Sequence, residues 1–136
     1  MSKLINISEA TSIAIHSIAL IGREKRQLNA NEISERTKFS KNHLSKVLQI
    51  LVKQGYLKSV RGPRGGFTLR MAPEDISLLD IFEVFEGKVS GDYCSGHVKD
   101  CPFEDCIYGD IIDDVSEIFK KAFSGRKISD VRMKNN

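Results

Sequence analysis

Two short helical segments separated by three residues, with a glycine-rich hairpin signal directly behind them, leave few folds open to this chain. Asn31 is placed to cap a helix over 32–37. Ser40 caps another over 41–54, in which Leu44, Val47, Leu48 and Leu51 fall on one face. Only Lys38, Phe39 and Ser40 lie between the two, and Gly55 ends the second. That is the skeleton of a helix-turn-helix. Residues 56–60 then alternate like a strand, and 67–70 supply a second. Arg61-Gly62-Pro63-Arg64-Gly65-Gly66 stands between them, and such Gly and Pro punctuation indicates a hairpin, here a wing.

The flanks extend this plan. Residues 6–23 read as a helix with Ile13, Ala14, Ile18 and Ile21 near helical spacing, and Gly22 is a stop signal near its end. Past Pro73, Ser77 opens a helix over 77–86, with Asp80 completing an acidic capping box. Leu78, Leu79, Ile81, Phe82, Val84 and Phe85 make that helix apolar over much of its circumference, so it belongs between the wing domain and another element. Residues 87–105 form a loop. A last helix over 106–123 carries the stripe Ile107, Ile111, Val115, Ile118, Phe119, Ala122 and Phe123. At about 25 Å it is too long for this core to cover, which implies a partner subunit. The tail after Ser124 reads as mobile, at least beyond Arg132. The fold class is mainly α with a small β-hairpin wing. A winged helix-turn-helix DNA-binding domain occupies 1–75. A linking helix, a cysteine-rich loop and a dimerisation helix occupy 76–136.

Charge separates the same halves. The net charge is +3 over 136 residues. Residues 1–72 hold 13 Lys/Arg against 4 Asp/Glu, whereas 73–136 hold 8 against 14. A basic half of this kind points to nucleic acid. No apolar run reaches the length of a membrane span, and the opening residues lack a signal-peptide core. The expected location is cytoplasmic, with no membrane contact.

The basic residues are grouped as a DNA reader needs. Ser40, Lys41, Asn42, His43, Ser45 and Lys46 crowd the first turns of the helix over 41–54, where side chains reach base edges in the major groove. In the wing, Arg61, Gly62, Pro63 and Arg64 form a slim basic tip, suited to a narrow minor groove whose negative potential draws arginine. Lys53, Lys58 and Arg70 are placed to touch phosphates, which position a protein without specifying sequence. The partner is double-stranded operator DNA.

Three cysteines lie as Cys94-x6-Cys101-x4-Cys106. In a cytosolic chain a cluster of thiols points to metal or redox chemistry rather than to disulfides. Thiolates are soft ligands that suit iron–sulfur clusters and zinc alike. Four readings stand on spacing alone. One is an iron–sulfur cluster with a non-cysteine fourth ligand. A second is zinc, with His97 completing a Cys3His set. The third and fourth are a metal-free thiol switch and inert thiols.

The segments Ser40-Lys-Asn-His-Leu-Ser-Lys-Val47, Gly55-Tyr-Leu57 and Val60-Arg-Gly-Pro-Arg-Gly-Gly66, followed by the three cysteines, resemble the IscR/NsrR-type family of bacterial winged helix-turn-helix regulators. The likeness runs over about 4–128. It implies a homodimeric repressor or activator in which the long helix crosses its counterpart. It implies that Cys94, Cys101 and Cys106 hold a 2Fe-2S or 4Fe-4S cluster, that Arg61 enters the minor groove and that 40–46 read the major groove. The cysteine spacing departs from the family's more even pattern. Gly109 occupies the place where one branch has a histidine ligand. The other branch offers an acidic residue early in its first helix, reaching the partner's cluster, and Glu9 matches it; His97 is the alternative fourth ligand. An acid there also favours the helix N-terminus on its own account.

Two rivals differ in class. An electron carrier or enzyme would use the thiols without DNA, but no nucleophile–base pair or phosphate-binding glycine loop accompanies them. A protein-interaction module would use the winged helix on a partner protein. Neither predicts salt-dependent duplex binding.

Overall fold

The computed structural model describes residues 5–90 and 98–134. Helix α1 (Glu9–Glu24) starts where the Ser8 hydroxyl accepts from the Thr11 amide at 3.2 Å. It runs through Gly22 and stops at Lys25, which takes a left-handed conformation. Gly22 serves close packing instead, since a β-carbon there would lie 3.1 Å from Leu69 Cδ1. Helix α2 (Ala30–Thr37) is capped by Asn29, not by Asn31 as the sequence reading expected. Only Asn29 has Glu32 at the third helical position, and each side chain takes the other's backbone N–H. Helix α3 (Lys41–Lys53) begins at the Ser40 cap as expected.

The hairpin pairs β1 (Leu57–Val60) with β2 (Gly66–Leu69), Leu57 opposite Leu69 and Val60 opposite Gly66. A third chain segment joins it. Leu28 and Phe67 exchange both backbone hydrogen bonds, at 3.2 and 2.8 Å. The bases of the wing and of α2 are therefore one hydrogen-bonded unit. Gly66 permits this, because a β-carbon there would sit 2.6 Å from the Leu28 carbonyl oxygen.

After a 3-10 turn (Pro73–Asp75), α4 (Leu78–Glu86) carries the expected Ser77/Asp80 capping box. The last helix, α5 (Ile111–Gly125), starts five residues later than expected. Cys106 lies in a turn, where Gly109 donates to the Cys106 carbonyl at 2.9 Å with φ +57°. The left-handed glycine interrupts the helical path, so the apolar periodicity crosses a break that it does not reveal.

The tail is not wholly free. Leu78 donates to Arg126 O and Ile128 to Ile76 O, while Ser77 and Lys127 form a β-bridge. Ile128 is fully buried, which overturns the expectation of mobility directly after Ser124. One core results, built from Ile13, Ile18, Leu28, Ile33, Leu44, Leu48 and Leu51 together with Ile76, Ile81 and Ile128. Helix α5 packs on α4 through aromatic contacts. Phe82 packs on Phe119 and Phe123 at 4.9 and 5.7 Å, and no α5 residue is buried.

Candidate nucleic-acid interface and thiol site

Burying Leu44, Val47, Leu48 and Leu51 turns the opposite face of α3 outward. Ser40, Lys41, Asn42 and Lys46 are exposed, while His43 and Ser45 sit half-buried on its flanks. Gln49 and Lys53 continue the stripe of Asn42 and Lys46 at helical spacing, all exposed. Gln49 was missed from sequence, although its i+7 relation to Asn42 was the available signal. His43 does not face solvent alone, because its Nδ1 lies 3.5 Å from Glu9 Oε1.

In the wing, Arg61, Gly62, Pro63 and Arg64 are all exposed. The tip is braced: Gly65 donates to Gly62 O at 2.9 Å, and the Gln27 amide donates to Arg64 O at 2.6 Å. Gln27 is a second residue that sequence reasoning missed, since its partner is remote in the chain. Beside it Arg26 pairs with Glu32 at 2.8 Å. That hydrogen bond raises the Arg26 pKa and lowers that of Glu32. Lys58 on β1 and Arg70 just past β2 are exposed.

The thiol site is partly visible. Cys94 and His97 lie outside the described residues. Cys101 and Cys106 are exposed free thiols, and among the described residues no three metal-binding side chains come together. Val98, Phe103, Ile107 and Tyr108 expose apolar surface around them. Thiols are soft donors, and the exposed Cys101 and Cys106 fit an iron–sulfur group chemically.

The end of α4, from which this loop leaves, is tied to α1. Glu86 Oε1 accepts from the Thr11 hydroxyl at 2.7 Å and the Ser8 amide at 3.3 Å. Hydrogen bonds from Ser8, then Thr11, hold its carboxyl below the ordinary glutamate range. A lowered folded-state pKa contributes stability that is present above the unfolded value of about 4.3 and is lost as pH falls through the folded one. Glu86→Gln is therefore expected to melt lower than the parent at about pH 7, with the gap closing below about pH 4. A gap that is constant from neutral to acid pH would refute the assignment.

The model of the Rrf2 family, described as an iron-dependent transcriptional regulator, matches residues 7–133. The chain belongs to the Rrf2 family. It is 30% identical over 128 residues to a protein assigned as an HTH-type transcriptional regulator in Aquifex aeolicus, covering 91% of this chain and 89% of that one. A match to BadM of Rhodopseudomonas palustris is 36% identical over 81 residues, spanning 59% of this chain and about half (52%) of BadM. NsrR of Bacillus subtilis is 43% identical over 53 residues, 39% of this chain and 36% of NsrR. Among solved structures, CymR, the global cysteine regulator of B. subtilis, superposes with a TM-score of 0.79 at 20% identity, over 93% of this chain and 95% of CymR. T. potens IscR gives 0.76 at 19%, over 97% and 94%. The fold is that of winged-helix regulators. This Rrf2 protein is a DNA-binding transcriptional regulator and not an enzyme. Among its described residues no helix is long and apolar enough to cross a membrane.

Proposed function

We propose that this Rrf2 protein is a cytoplasmic homodimer that reads an operator with α3 and the wing, and that an iron–sulfur cluster on Cys94, Cys101 and Cys106 sets its affinity for DNA. The observation that carries the sensing role is the exposure of Cys101 and Cys106 in the loop between α4 and α5. Thiols placed there are available to a cofactor and to small reactants. The wing domain over 1–75 recognises DNA, and 76–136 dimerises and senses. The fourth ligand is Glu9 of the partner subunit or His97. When bound, such a cluster supplies a centre that reacts with oxidants or nitric oxide.

This chain's own residues give the coupling its route. The loop leaves α4 directly after Glu86, which ties α4 to the first turn of α1 through Ser8 and Thr11. From that same turn Glu9 reaches His43 on α3. A loop held in a different path shifts α4 against α1 and α5, and with them the separation of the two recognition helices. Half-site spacing on DNA is geometric, so a small rotation costs affinity.

On the DNA side, Ser40, Lys41, Asn42, His43, Ser45 and Lys46 face the major groove, with Gln49 beside them. Arg61 enters the minor groove, with Gly62 and Pro63 shaping the tip and Arg64 next to it. Arg61→Ala should weaken operator binding by about 1–3 kcal/mol; unchanged affinity would remove its role.

The test of sensing is protein purified without oxygen. Iron and sulfide in similar amounts, with visible absorption bands, are expected. Replacing all three cysteines by Ala should remove both, along with any difference in operator affinity between loaded and stripped protein. Zinc in place of iron, or a triple variant that still responds, would overturn the cluster reading and leave DNA recognition in place.

A further inference from the structure

A second concave site has a lining that shares no residue with Cys101, Cys106 or the wing tip. The outward face of α1, the turn between α2 and α3, and residues 131–134 border a half-open groove of about 1070 Å³. Leu20, Phe39 and Met133 line it with apolar surface, and Arg23 and Arg132 stand in the same lining. Among the described residues neither arginine has an ion-pair partner, whereas the neighbouring Arg36 is already paired with Glu24. One wall is set in advance. The His16 Nδ1–H donates to the Ser12 carbonyl at 2.6 Å, and the imidazole packs edge-on to Phe39 with ring centroids 5.7 Å apart.

We propose that this groove binds a small amphipathic carboxylate, its apolar body across Leu20, Phe39 and Met133 and its charge on Arg23 and Arg132. The volume is that of a small-molecule site, and apolar lining with a few convergent polar groups is the usual composition of one. Guanidinium matches carboxylate in planar, two-point geometry. A cationic ligand of the same shape would meet Arg23, Arg132 and Lys134, while the carboxylate in the lining, Glu24, is already taken by Arg36. Phe39 directly precedes the Ser40 cap, and its carbonyl accepts from the Ser34 hydroxyl at 2.8 Å. An occupant of the groove therefore touches the turn on which α3 is mounted. The inference rests on neither the operator nor the cluster, so its test contains no DNA and no iron.

The experiment is calorimetric titration of the full chain with octanoate, with octylammonium as the comparator of equal apolar length. Octanoate should saturate one site per subunit, and octylammonium should give no saturable heat. Arg23→Gln with Arg132→Gln should weaken octanoate at least tenfold. Met133→Glu, which puts a carboxylate into the groove from an exposed position, should do the same and guards against misfolding of the double variant. Equal binding of the amine, octanoate affinity that survives both changes, or no heat from hexanoate to decanoate would overturn the proposal.

Discussion

Replacing Ile111 and Ile118 together by Asp should leave the protein monomeric at micromolar concentration and lower its affinity for a two-half-site operator by roughly 10²–10⁴-fold. The reason is an apolar face of α5 that stands exposed among the described residues. Ile111, Val115 and Ile118 are 62, 51 and 69% exposed, and Ile107, just before the helix, is 71% exposed. Ile111, Val115 and Ile118 follow one another three or four residues apart along α5 and so form one stripe. A lone soluble subunit rarely leaves such a patch open to water. A two-fold interface uses the same stripe twice, so every lost side chain counts in both copies. Each is worth about 1.5–3 kcal/mol of burial, and the added carboxylates must also be desolvated. The aromatic flank of α5, Phe119 and Phe123 on Phe82, is left in place, so the monomer keeps its helices. Sedimentation equilibrium and operator titration check the two halves of this expectation. A variant that sediments as a dimer would show that another surface mediates assembly.

Gly66→Val should lower the melting temperature by on the order of 10 °C and weaken operator binding with it. Any side chain at position 66 begins 2.6 Å from Leu28 O, 2.7 Å from Leu28 C and 3.0 Å from Asn29 N. All three are backbone atoms that no rotamer can move aside. The hairpin must lift, and the Leu28–Phe67 bridge must break. Leu28 is fully buried, so its amide and carbonyl would be left without partners, at about 1–3 kcal/mol each. Asn29 caps α2 directly beside them, and the wing would lose its anchor as well. Gly125→Ala is the matched control, because nothing lies within 4 Å of a β-carbon there. Equal melting temperatures for the two variants would show that the hairpin absorbs the change.

Sequence reading succeeded where the signal is local. The Ser40 cap, the stripe of α3 and the Ser77/Asp80 box depend on residues three or four apart, and each appears as expected. Asn31 does not cap α2, although that signal too is local: Glu32 stands three residues after Asn29 and completes the capping box there. The start of α5 was misplaced because apolar spacing continues through Ile107 while the backbone turns at Gly109. The candidate DNA face was legible because burying one side of α3 determines which residues must face out. Gln27 under the wing tip was not, since its hydrogen bond joins positions 37 residues apart.

By itself, then, the sequence determined the element types, the basic character of the helix-turn-helix and wing, and the thiol spacing, all of which follow from near neighbours. Long-range packing settles that Leu28 extends the hairpin, that Ile128 returns to close the core, that Glu86 ties α4 to α1, and that α5 presents a face the described residues leave exposed. Each of these joins segments far apart in the chain. Such contacts arise from competition among many apolar and hydrogen-bonding partners, and no local pattern records which partner wins.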